Sequence, residues 1–115
     1  MKRIVLTIVL FFALIIPVFA VDVTVTHTMV NVTATSAAVT SRESRRLLIL
    51  ENISDATISC KFNVTAVVGE GIVLNPQPAS GQSGGGLFLD AAIPMGPLFC
   101  VHDGTGNKKL SISEG

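Results

Sequence analysis

Few residues in this chain have the type and spacing for chemistry. The first candidates are its two cysteines, Cys60 and Cys100. In an oxidising compartment they allow a single bridge, closing a loop of about 40 residues and worth about 4 kcal/mol in the chain-entropy model. The alternative is two small apolar core residues that never meet, because spacing alone does not bring two Cβ atoms within reach. A zinc site would need further ligands. His27 and His102 stand alone, with no C-x-x-C or H-x-x-x-H spacing.

Catalytic patterns fail one by one. Ser83, within SGQSG at 80–84, lacks the G-x-S-x-G spacing and follows a loop instead of a strand. Gly84-Gly85-Gly86 is followed by neither a lysine nor a helix, so it is no phosphate cradle. Glu70, Asp90 and Asp103 sit beside turn residues and read as solvated carboxylates, not as an acid–base pair. Asp103-Gly104 lacks the alternating acids of a calcium loop. The chain is therefore read as non-enzymatic, with no metal and no cofactor. Three N-x-[ST] sequons begin at Asn31, Asn52 and Asn63. They could carry glycans in a eukaryotic secretory pathway, but the period-2 polar face of Thr-rich strands generates the same spacing.

The chain has 115 residues, enough for one domain. Apolar residues make up 49% and charged residues 14%, too hydrophobic a balance for disorder. With zero formal net charge and neither Trp nor Tyr, it offers no footprint for nucleic acid. After Lys2 and Arg3 comes a 13-residue apolar run, then Pro17 and a small residue at Ala20. This describes a secretory signal peptide cleaved after Ala20. The competing reading is a membrane anchor over residues 4–21, 18 residues and just long enough to span. Cleavage would remove Lys2 and Arg3, so that eight basic residues become six against eight acidic ones.

The rest reads as strands. Residues 21–26 alternate with the apolar set on odd numbers; from Val30 it moves to even numbers, which predicts a bulge, bend or new strand between His27 and Met29. Residues 47–50 suit a strand buried on both faces. Ile58, Cys60, Phe62 and Val64 form the cleanest alternation and put Cys60 inward beside Phe62. Short strands follow at 72–74, 87–89, 98–102 and 110–113, punctuated by Gly, Pro and Asn. Six to eight short strands with no helical period after residue 20 predict an all-β fold. That fold is a small antiparallel sandwich, Ig-like or jelly-roll-like, after an N-terminal hydrophobic helix. Residues 21–41 are assigned to N-terminal strands and a linker, and 42–115 to the sandwich.

The run Arg45-Arg46-Leu47-Leu48-Ile49-Leu50-Glu51-Asn52 leads into Ser54-Asp55 and Ile58. Gly71-Ile72-Val73-Leu74-Asn75-Pro76 comes next, and Leu110-Ser111-Ile112-Ser113-Glu114 closes the chain. Over residues 42–115 this pattern resembles a group of small bacteriophage virion proteins. They share an Arg-led "R-x-L-x-I-x-N" strand, a "G-I-x-L-x-P-G" segment (where this chain has Gln77 for the last Gly), a Gly/Ser loop and a terminal "L-x-V-x-E". The resemblance implies a β-sandwich on the outside of a phage particle, in a fibre, decoration or tail-associated role. It implies that Leu48 and its strand form the central buried ladder and that Asn52 caps the following turn. It further implies that Arg45 or Arg46 lies over an acidic group or flanks the sheet edge, and that Pro76 ends a strand before a mobile loop. Expected partners are other coat proteins, a cell-surface ligand and further copies of the chain. Candidate contact residues are Gln77, Ser80, Gln82 and Ser83 in the flexible loop 77–86, and Asp103, Thr105 and Asn107 in the turn 103–107, because function concentrates on loops held by a rigid scaffold.

Overall fold

A computed structural model describes residues 24–79 and 81–115. The expected leader, its cleavage site and the first half of the strand expected at 21–26 lie outside the described residues. What is described is all-β, with no helix. The eight strands are β1 (Thr26–Val32), β2 (Ala37–Thr40), β3 (Leu48–Asn52), β4 (Ile58–Phe62), β5 (Ile72–Leu74), β6 (Gly86–Leu89), β7 (Leu98–His102) and β8 (Lys108–Glu114).

They form two four-stranded antiparallel sheets, ordered β1-β8-β3-β6 and β2-β7-β4-β5. The pairs β1·β8, β2·β7, β3·β6 and β4·β5 are those of one long antiparallel ribbon folded back on itself. Alternate pairs fall into alternate sheets, and β3·β8 and β4·β7 complete the ladders. This is the eight-stranded double-sheet jelly roll, and it replaces the Ig-like alternative. Of residues 21–41, expected to precede the sandwich, the described part supplies an edge strand to each sheet, β1 and β2, which open the folded ribbon.

Alternation along each strand builds the core. Leu48 and Leu50 of β3, Ile58 of β4, Leu98 of β7 and Leu110 of β8 are fully buried, and Val32, Leu74 and Ile112 pack with them. β3 lies second from the edge with one face inward. Its other face carries half-buried Ile49 and exposed Glu51, so the expectation of burial on both faces is corrected. The expected break between His27 and Met29 is also absent. β1 pairs with β8 residue by residue from Thr26 to Val32, with even positions inward throughout. Val25, the described member of the odd-numbered set, lies before the strand begins. Val64, expected inward on β4, is exposed, because the chain leaves the strand at Asn63, whose φ is 60°.

The loop 77–86 is less free than its composition predicts. Gly85 N–H donates to Asn75 O at 2.8 Å, and Asn52 N–H donates to Gly85 O at 2.9 Å. A Cβ on Gly84 would lie 1.8 Å from Asn52 O, and one on Gly85 2.4 Å from Asn75 N. The glycines let two backbones touch; they are not there for reach alone. Gly84→Ala is expected to cost about 2–3 kcal/mol, since backbone on both sides must move. Thermal unfolding checks it, and a loss below about 0.5 kcal/mol would contradict the close approach.

Candidate functional site

In an antiparallel sandwich each strand reverses the chain, so connections alternate between two ends. The β1–β2, β3–β4, β5–β6 and β7–β8 connections share one end, which gathers both loops expected from the sequence. Hydrogen bonds tie these loops together. Gln77 N–H donates to Ser54 O at 2.7 Å, His102 N–H to Thr33 O at 3.2 Å, and Asp103 N–H to Thr57 O at 3.2 Å.

Side chains complete this frame. Asn52 is fully buried. Its Nδ2 donates to Ala56 O at 2.8 Å and Leu74 O at 2.9 Å, while its Oδ1 accepts from Ser54 N–H at 3.0 Å and Ser54 Oγ at 2.7 Å. It therefore caps the turn as the resemblance implied, and the asparagine of this sequon is sealed in the core. Asn63, exposed, spends its Nδ2 on Met95 O at 2.9 Å. Asn31 is exposed on β1. Asp103 accepts from Thr57 N–H at 2.9 Å and so anchors its turn. Pro76 is half-buried just beyond β5.

His102 was not expected to do anything, and it holds the turn 103–107 from beneath. It is 2% exposed. Its Nδ1 accepts from Gly104 N–H at 3.0 Å, which leaves the proton on Nε2 for Gly106 O at 2.5 Å. The sequence-level signal was a histidine two residues before a glycine in a turn.

This end presents hydrogen-bonding side chains outward: Gln82, Ser83, Thr105 and Asn107 are exposed, as are the carboxylates of Asp55 and Asp103. Ser80 lies outside the described residues. Gln77 is half-buried, with its amide donating to Gln82 O inside the loop. Beside them Lys108 Nζ pairs with exposed Asp55 Oδ1 at 2.6 Å. The hydrogen bond and charge of Lys108 lower the Asp55 carboxyl below its ordinary 3.8. A depressed carboxyl stabilises the fold above its unfolded pKa and loses that stabilisation as pH falls through its folded value. Asp55 is fully exposed, so the effect on stability is small. An NMR titration is expected to place Asp55 below 3.8, and Lys108→Met to return it there. A Lys108→Met variant with Asp55 unmoved would refute the pairing.

Arg45 organises the opposite end. Its side chain is wholly buried, with Nε 3.6 Å from Oε1 of Glu114, itself 10% exposed. Nη1 donates to Pro94 O at 3.1 Å and Gly96 O at 2.9 Å, and the guanidinium lies over the Phe62 ring, 5.9 Å from its centroid. Arg46 is exposed; its N–H donates to Gly115 O at 2.6 Å. The two ends of the phage-like pattern, the Arg of the first strand and the Glu of the last, thus meet in space. The resemblance implied either an acidic group under one of the arginines or a place at the sheet edge, and named no acid; Arg45 takes the first, with Glu114.

Cys60 and Cys100 are disulfide-bonded and fully buried. They face each other directly across β4 and β7, with Cα atoms 4.2 Å apart. The bridge joins neighbouring strands of one sheet, unlike the inter-sheet bridge of Ig domains.

No protein-family model matches the chain. No curated protein and no solved structure matches it either. Among the described residues no group of three or more His, Cys, Asp or Glu is placed to hold a metal ion, and no helix is long and apolar enough to cross a membrane. What the loop end can do is make short-range hydrogen bonds from a rigid frame. Four tied loops present amide and hydroxyl groups together with two exposed carboxylates, Asp55 and Asp103, an arrangement suited to contact with another macromolecular surface.

Proposed function

We propose that this chain is a non-enzymatic structural and binding module of a bacteriophage particle, in a fibre, decoration or tail-associated position. It works without a cofactor and contacts other coat proteins or a cell-surface ligand through the loop end bearing Gln82, Ser83, Thr105 and Asn107. The observation that carries the reading is the strand order, because the double-sheet jelly roll is an architecture of viral capsid and lectin domains. Folds host many functions, so the reading also leans on the phage-like pattern, whose Arg45 and Glu114 pair in the structure.

A second reading is favoured by a specific observation. The Cys60–Cys100 bridge suits an oxidising compartment, as would an exported or periplasmic binding module unrelated to virions. That module would stand on the jelly-roll scaffold and begin at Val21 after removal of residues 1–20.

Mass spectrometry of particles purified from the source culture, with the N-terminal peptide read, decides between them. Recovery in particles is the expected result, and a chain there beginning at Met1 or Lys2 marks residues 4–21 as an anchor. Absence from particles, with the protein outside the cytoplasm and beginning at Val21, overturns the virion reading in favour of the exported module.

A further inference from the structure

The two sheets have four edge strands, and three are blunted. β5 has three residues, β6 has four, and β2 has four with a register shift between Ala38 and Thr40. β1 differs. Its seven residues pair with β8 without a bulge, and none is Lys, Arg, Asp, Glu or Pro. Among the described residues its other edge has no strand partner. Proteins usually guard such an edge with charge, proline, a bulge or brevity. Met29, at its centre and facing outward, is 60% exposed.

A second feature adjoins it. A cleft of about 330 Å³ opens between β1 and the end of β2 with the residues just after it, lined by Thr26, Thr28 and Val30 from β1, Val39 from β2 and Ile112 from β8. Thr26 and Thr28 point inward, as even positions of β1, yet stay exposed because nothing closes the gap. One added strand along β1 would satisfy the open edge and cover this mouth.

We infer that the added strand is β1 of a second copy, making an isologous dimer across a twofold axis through Met29. A continuous sheet needs inward faces to match, so even positions must meet even positions. The register that uses all seven residues sets Met29 against Met29, Thr28 against Val30, His27 against Asn31 and Thr26 against Val32. The other three edge strands are too short to fill this length. Self-pairing opposes no like charges along β1. Lys109, beside Asn31 on β8, ends about 20 Å from its copy at standard strand spacings, beyond the screening length of about 8 Å. The partner's Val30 comes beside Thr28 at the cleft mouth. Main-chain bonds supply affinity and the Met29 pair supplies register. The inference does not depend on the virion reading.

Sedimentation velocity tests it on the protein with the N terminus it carries in its source, in detergent if residues 1–20 are retained. The expected result is a concentration-dependent dimer. Met29→Lys sets two ammonium groups against each other and is expected to weaken association at least about tenfold. Met29→Glu does the same, and mixing the two variants restores a heterodimer. Because Met29 is exposed, both variants keep the amide NMR spectrum of the folded monomer. Met29→Cys is expected to give a disulfide-linked dimer on mild oxidation, and Lys109→Cys is not. A protein monomeric up to sub-millimolar concentration overturns the inference. So does a dimer indifferent to Met29→Lys, as association through the leader or another surface would be.

Discussion

Arg45→Leu is expected to destabilise the fold by about 3–5 kcal/mol, the usual cost of leaving a buried charge without its partner. The variant strands Glu114 and removes the donor shared by Pro94 O and Gly96 O. For a domain of this size the melting temperature falls by about 15 °C or more. Arg45→Lys does not rescue it, because one ammonium cannot match the fork that reaches two carbonyls and a carboxylate. The pair is not an efficient source of stability. Arg45 Nε and Nη2 and Glu114 Oε1 are buried without a hydrogen-bond partner. Replacing both residues with leucine is therefore expected to recover most of the loss. A double-mutant cycle by denaturant unfolding measures this, and strictly additive single losses would refute the coupling. The pair's service is to clamp the β2–β3 and β6–β7 connections onto the last strand, the one that joins β1 to β3.

Removing the bridge is the second large effect. Cys60→Ala with Cys100→Ala is expected to cost about 4 kcal/mol, mostly from freeing the loop between them in the unfolded chain. Calorimetry should show a fall of about 20 °C in Tm. A loss below about 1 kcal/mol would mean that the unfolded chain is already constrained near the crosslink. Both sulfurs are fully buried at the centre of the core. A reductant therefore has to wait for the fold to open, so native protein resists thiols that reduce it promptly in denaturant. Fast reduction of the native protein would show that β4 and β7 separate locally without global unfolding.

These sites show what could be read before any coordinates. The alternation of Ile58, Cys60 and Phe62 put Cys60 on an inward face, and it lies there. Its partner was legible as a candidate only, because pairing depends on whether β4 and β7 are neighbours. Asn52 followed by Ser54 announced a turn; that Asn52 would also reach Leu74 O required β5 beside it. Gly84 looked like a flexible linker residue, since composition cannot distinguish a glycine that gives freedom from one that lets two backbones meet. His102 carried no pattern beyond its place before a turn.

The amino-acid sequence alone determined the all-β class, most strand positions, the turn residues and the inward face of β4 at Ile58 and Cys60. These follow from local chemistry: side chains alternate every residue along a strand, and Gly, Pro and Asn interrupt it wherever they stand. Tertiary structure alone decided the jelly-roll order, the partner of each strand, the meeting of Arg45 with Glu114 and the gathering of two loops at one end. It also decided that β1 is left with an open edge. Strand order is set by packing one folded ribbon around a single core, a long-range competition among apolar faces that no local window contains.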